Sequence, residues 1–316
     1  MLRYFWTFSW CVFIASNCYG QTDGFDKEIE LLPKWKVGDK VSYEYVKNVV
    51  EKKPPRNPTN VTFQSQVNLE VLEKSKDGGF IVQWKMGNLS VDNAQLANDQ
   101  YFHKFMNITN SLPIELELDS DGAYSGVRNW KDVQIKLHET VDLTIERLAR
   151  TEKDKVRLAF IKKQSLATMR TREQVEILAT KEPQMFFMLM GFPLSLGESI
   201  EYSDVLPNPT GSEPFPSKAV LTLKSVDKKQ QLGTVRWKQT IDPEKGAKAL
   251  KKTLESLAGK TASKDDFPKS VSIEDDADFV IDLKNGWLEK MTHTRTSTIG
   301  ESSRRETIRF MKTTRK

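Results

Sequence analysis

The sequence predicts an α+β protein dominated by antiparallel β-sheet, with two related β-rich halves and helices that lie between them and pack on the sheets. Three observations predict it. Val41, Tyr43 and Tyr45 alternate with polar neighbours, the period of a strand with one buried face. An order of strand, proline-bearing loop, hairpin and Asp/Asn-Gly turn occurs once before residue 128 and again after residue 185. Between the two occurrences, Trp130, Val133, Leu137, Val141, Ile145 and Leu148 recur at helical spacing.

A polar lead, 21–31, precedes the first half, 32–128. Leu32 to Lys40 introduces the strand Val41–Val46, and Pro54, Pro55 and Pro58 then place a loop, because proline cannot join a central ladder. Val61–Leu72 and Phe80–Trp84, separated by Lys76-Asp77-Gly78-Gly79, predict a hairpin. Asp92 to Met106, with Leu96, Tyr101, Phe102 and Phe105, is a faint helix, and Asp119 to Tyr124 is a turn between β-like runs. A helical connector fills 129–184, where Thr171 with Gln174 forms a capping box ahead of Val175, Ile177 and Leu178.

The second half, 185–312, repeats the order. Leu196-Gly197-Glu198 leads into Ser199–Tyr202, prolines 207, 209, 214 and 216 mark a loop, and Ala219–Val226 with Gly233–Thr240 makes a hairpin. Asp242-Pro243 opens a helix through Ala247, Leu250, Leu254 and Leu257, with Gly259 as its stop. Strands follow near 270–283, 287–298 and 304–312, ahead of a basic tail at 313–316. Gly38 and Gly197 are 159 residues apart, Trp84 and Trp237 are 153, and Gly122 and Gly286 are 164. These offsets agree within the length of a loop, which predicts an internal duplication.

Residues 1–20 carry the single charge of Arg3, an apolar run from Tyr4 to Ala15, and Cys18-Tyr19-Gly20 ahead of Gln21. That order predicts a cleaved secretory signal, too short to span a bilayer comfortably. Cleavage would remove Cys11 and Cys18, the only cysteines, and with them any disulfide or thiolate chemistry. A cysteine-free exported chain points to a bacterial periplasm or cell exterior. Lipid anchoring through Cys18 is the minor alternative, with Asn17 a poor neighbour for it. Sequons at Asn60, Asn88 and Asn107 would matter only in a eukaryote. The 316 residues include 48 Lys+Arg against 43 Asp+Glu and are 38% apolar. Mean hydropathy of −0.53 excludes a polytopic membrane protein. Interspersed charges without a basic, aromatic-studded stripe argue against nucleic-acid binding.

Recognisable chemistry is sparse. His103, His138 and His293 are scattered without partners at motif spacing and are expected on helix or strand surfaces. Glu117, Asp119, Asp121 and Gly122 match the start of a calcium loop, but Arg128 stands where a bidentate Glu belongs. Glu274, Asp275, Asp276 and Asp278, and the basic Arg304, Arg305, Arg309, Lys312, Arg315 and Lys316, are expected on solvated faces. No nucleophile elbow, phosphate loop or dinucleotide fingerprint is present. No catalytic, metal-binding or cofactor-binding residue is therefore assigned, and no cofactor is expected. One segment stands out, Phe186, Phe187, Met188, Leu189, Met190 and Phe192. It is either a buried connector that plugs the sheet or the lining of a groove for an acyl chain or apolar partner.

The leader, Trp35-Lys36-Val37-Gly38-Asp39, its counterpart Leu196-Gly197-Glu198, and the Asp-Gly turns resemble uncharacterised exported bacterial proteins built from duplicated β-meanders. More distantly they resemble lipoprotein-carrier sheets with helices on the concave side. That resemblance implies a fold and transfers no functional residue. The expected function is a non-enzymatic extracytoplasmic binding or envelope-associated protein. Its partner would be a lipid-like or apolar ligand or an envelope protein, with no transmembrane span after signal cleavage. A hydrolase with a carboxylate-based site is the competing class.

Overall fold

A computed structural model describes residues 28–206, 214–258 and 271–313. The expected signal, most of the polar lead, Pro207, Pro209, Gly259, Arg315 and Lys316 lie outside the described residues. In the first half the elements are β1 (Glu28–Glu30), β2 (Lys40–Lys52), β3 (Thr59–Lys74), β4 (Phe80–Met86), β5 (Ser90–Val91), α1 (Ala94–Ala97), α2 (Gln100–Asn110), β6 (Ile114–Leu118) and β7 (Tyr124–Val127). Helices α3 (Trp130–Leu148), α4 (Lys155–Ala167), α5 (Arg172–Ala179) and α6 (Lys181–Phe187) follow. The chain continues through β8 (Pro193–Ser195), β9 (Ser199–Leu206), β10 (Phe215–Asp227), β11 (Leu232–Ile241), α7 (Pro243–Ala258), β12 (Val271–Asp282), β13 (Leu288–Ile299) and β14 (Ser302–Lys312).

The protein is α+β and predominantly antiparallel. Twelve strands make one sheet in the order β7-β6-β4-β3-β2-β14-β13-β12-β11-β10-β9, with β5 added to β3, while β1 and β8 pair separately. The two halves repeat one register. Val41 faces Leu69 and Leu69 faces Trp84 in the first; Ile200 faces Leu221 and Leu221 faces Trp237 in the second. Equivalent bulges interrupt β3 between Val71 and Glu73 and β10 between Leu223 and Ser225. Even the lead-in turns match, since the Gly38 N–H donates to Val71 O at 2.8 Å and the Gly197 N–H to Leu223 O at 3.0 Å. Each half inserts helix at a matching place, α1 and α2 between β4 and β6 in one and α7 between β11 and β12 in the other. Strand β14 has no counterpart in the first half. It joins the halves edge to edge by pairing with β2, placing Phe310 opposite Tyr45.

Alternation assigns the two faces. Tyr43, Tyr45, Val67, Leu69, Val82, Trp84, Val235, Phe279 and Phe310 point into one core, and the opposite face carries polar pairs such as Ser42 with Asn68 and Thr294 with Thr307. The Leu32-Pro33 lead crosses the two equivalent turns. A Cβ on Gly286 would meet Leu32 O at 2.8 Å, and Gly286 has φ +78, so this position requires glycine. Behind that lead Trp35 stacks on Trp287 with ring centroids 4.3 Å apart.

Side-chain caps satisfy free N–H groups at the starts of several helices, though α3 and α6 begin without one. Thr171 and Gln174 form the expected capping box of α5, and the Asp242 carboxylate accepts from the N–H groups of Glu244 and Lys245 at the start of α7. Helical structure runs to Phe187, three residues past the sequence boundary at 184. Helices α5 and α6 contact β7, and α7 contacts β10 and β12. Helix α4 instead takes α3 as its main neighbour.

Candidate functional site

The segment read as either a plug of the sheet or the lining of a groove sits in the core. Phe186, Phe187, Leu189 and Met190 are buried, and Met188 and Phe192 are partly buried against the same cluster. Phe186 lies at the seam between the halves, with its ring 5.0 Å from Tyr43, 5.5 Å from Trp84 and 5.6 Å from Phe310. It thus ties together β2, β4 and β14 through edge-to-face contacts.

A second constellation was not anticipated. Along the packed face, a row of polar side chains crosses seven adjacent strands: Asp204 on β9, Ser217 on β10, Gln239 on β11, Asp275 on β12, His293 and Arg295 on β13, Glu306 on β14, and Lys47 on β2. Apolar residues flank it on both sides. On β11 the inward sequence is Trp237, Gln239, Ile241, and on β10 it is Ala219, Ser217, Phe215. One side belongs to the main core and the other to a smaller cluster of Leu206, Phe215, Ile241, Ala249 and Val271, to which α7 contributes Ala249.

The acidic patch divides at this row, because strand alternation sends neighbours to opposite faces. Glu274 and Asp278 are exposed, and Asp276 accepts two hydrogen bonds from Arg236. Asp275 turns inward with Ala277 and Phe279 and is 2% exposed. Its two oxygens accept from Arg295 Nε and Nη2 at 2.7 and 2.8 Å, and His293 Nε2 lies 2.7 Å from Oδ1. Burial pushes the Asp275 carboxyl up, but the hydrogen bonds from His293 and Arg295 outweigh it and hold its pKa below the ordinary value. His293 therefore departs from the expected surface position. It is fully buried, and its Nδ1 has no hydrogen-bond partner among the described residues. His103, by contrast, is on a helix surface.

One strand further, Glu306 accepts from Lys181 Nζ at 2.6 Å and Arg304 Nη2 at 3.2 Å, with Lys47 Nζ at 3.6 Å. Lys47 also donates to Glu182 at 3.2 Å. Burial raises the Glu306 pKa, yet the ammonium charges of Lys181 and Lys47 and the donated hydrogen bonds bring it down to about 2. Beside them the Tyr45 phenol is pushed well up, first by burial and then by the charges of Glu182 and Glu306. Toward the far edge, Gln239 Nε2 donates to Asp204 at 2.8 Å and Ser217 at 2.9 Å.

Chemically the row centres on the ionised carboxylates of Asp275 and Glu306, held by fixed donors, two guanidinium and two ammonium groups. Among the described residues no group of three or more His, Cys, Asp or Glu side chains could hold a metal ion. The Asp119 turn is a capped hairpin whose Asp119 carboxylate accepts from the N–H groups of Asp121 and Ala123, and Arg128 pairs with Glu115 and Glu73. Sequence reasoning missed the row because partners such as Asp275 and His293, 18 residues apart, and Lys181 and Glu306, 125 apart, are distant along the chain. The available signal was phase: Asp275 and Gln239 each occupy an inward position of an otherwise apolar strand face, and Glu306 falls in phase with Ile308 and Phe310. Compared with known proteins, the chain matches no family model and no curated protein.

Proposed function

We propose that this chain is a non-enzymatic, extracytoplasmic binding protein whose two sheet halves hold an apolar ligand or partner beside the Phe186–Phe192 segment. The observation that carries this reading is the position of that segment. It is an apolar stretch with two methionines at the seam, where Phe186 packs on Tyr43 of one half and Phe310 of the other, and methionine is the side chain best able to adapt to an apolar partner. The leader and the cysteine-free remainder support export.

A hydrolase finds one favourable feature, the free Nδ1 of buried His293. The carboxyls beside it oppose that reading. A general acid working near neutrality needs a raised pKa, whereas Asp275 and Glu306 are both lowered.

Untargeted mass spectrometry of material co-purifying with the natively exported protein tests the proposal. A bound lipid or protein partner is expected, retained by wild type and lost from a folded Phe187→Asp variant. A clean preparation that turns over substrates on a hydrolase panel, with turnover abolished by His293→Ala, would establish the competing function.

A further inference from the structure

Helix α4, whose main neighbour is α3, carries a charge and exposure pattern that its position in the fold does not use. Its sequence KVRLAFIKKQSLA contains Lys155, Arg157, Lys162 and Lys163 and no acidic residue, in a chain whose formal charge is only +5. Leu158 is the residue it buries. Val156 is 79% exposed and Phe160 54%, and at i and i+4 they share one stripe. Lys163 continues that stripe, while Lys155 and Arg157 flank it on either side.

Two of the four cations are tied down. Lys162 pairs with Asp142 at 2.6 Å and Arg157 with Glu152 at 3.0 Å. Among the described residues Lys155 and Lys163 have no carboxylate partner, and both are exposed. Just before α4, the Arg150 guanidinium lies over the Tyr101 ring at 4.6 Å. With Arg147, itself paired with Asp99 at 2.6 Å, it lines a 480 Å³ depression at the end of α3.

We propose that α4 is a membrane-docking helix that lays Val156 and Phe160 into the headgroup region of an anionic bilayer, with Lys155 and Lys163 meeting lipid phosphates. An exposed apolar pair beside two lysines without carboxylate partners matches a surface with an apolar interior under negative charge. The lysine stems can also lie along the apolar stripe while their ammonium groups reach outward. At 13 residues the helix is about 20 Å long, enough to lie in the interface but short of a span. An acidic protein or polynucleotide would satisfy the cations and leave Val156 and Phe160 without a role. The inference is independent of any ligand in the core.

The test is co-sedimentation of the purified protein with vesicles of phosphatidylcholine plus phosphatidylglycerol, and with vesicles of phosphatidylcholine alone, at low and high salt. Binding is expected to the anionic vesicles only, weakening as salt rises. Lys155→Glu/Lys163→Glu and Phe160→Asp, each verified for unchanged circular dichroism, should each reduce partitioning about tenfold or more. Equal binding to both vesicle types, or undiminished binding by the double variant, would overturn the proposal. Capture by an acidic polypeptide or DNA without vesicle binding would overturn it too.

Discussion

Replacing Glu306 by glutamine removes a charge but little volume, and its effect should depend on pH in a defined direction. The Glu306 side chain is 8% exposed and meets Lys181, Lys47 and Arg304. Its pKa falls from 4.5 to about 2 on folding. At about 1.4 kcal/mol per pH unit, that difference corresponds to about 3 kcal/mol of stability. Because the folded pKa is the lower one, the stabilisation is complete above the unfolded pKa and disappears as pH falls from 4.5 towards 2. Urea unfolding followed by tryptophan fluorescence, for wild type and Glu306→Gln, measures it. The gap should be about 3 kcal/mol near neutrality and close to zero near the folded pKa. A gap that stays constant across this window would show that the ionised carboxylate contributes nothing specific.

Three further perturbations probe other parts of the fold. Arg295→Ala leaves Asp275 buried with only His293 beside it and should cost about 3–5 kcal/mol in urea unfolding; a loss below about 1 kcal/mol would mean the pair is not held as described. Phe186→Ala empties the seam between Tyr43, Trp84 and Phe310 and should cost about 3–5 kcal/mol, measured the same way, whereas a peripheral plug would lose under about 1.5 kcal/mol. Gly286→Ala meets Leu32 O, whereas a Cβ on Gly197 meets nothing within 4 Å, although both have φ +78. Thermal unfolding should therefore show the larger loss for Gly286, and equal losses would refute the close approach of the lead segment.

What could be seen in the sequence followed from local physics. The alternation of Val41, Tyr43 and Tyr45 is set by neighbours two residues away, and the α5 and α7 caps lie within three residues of the groups they satisfy. The repeat was visible because Trp84 and Trp237 occupy the same position in matching ladders. The seam was not, since nothing near β14 specifies that Phe310 will face Tyr45 across more than 260 residues. The polar row was hidden for the same reason: Lys181 and Glu306 meet only after helix and sheet have packed. Helix α4 was also obscure, because apolar residues on several of its sides give no dominant face, and only the structure shows which of them α3 covers.

The buried row is an ionic framework rather than an acid–base pair. A side-chain carboxyl-carbon NMR titration addresses that most directly. It should find Glu306 titrating near 2 and Asp275 below the ordinary aspartate value. Either carboxyl titrating above its ordinary value would contradict the account and restore a general acid to the centre of the sheet.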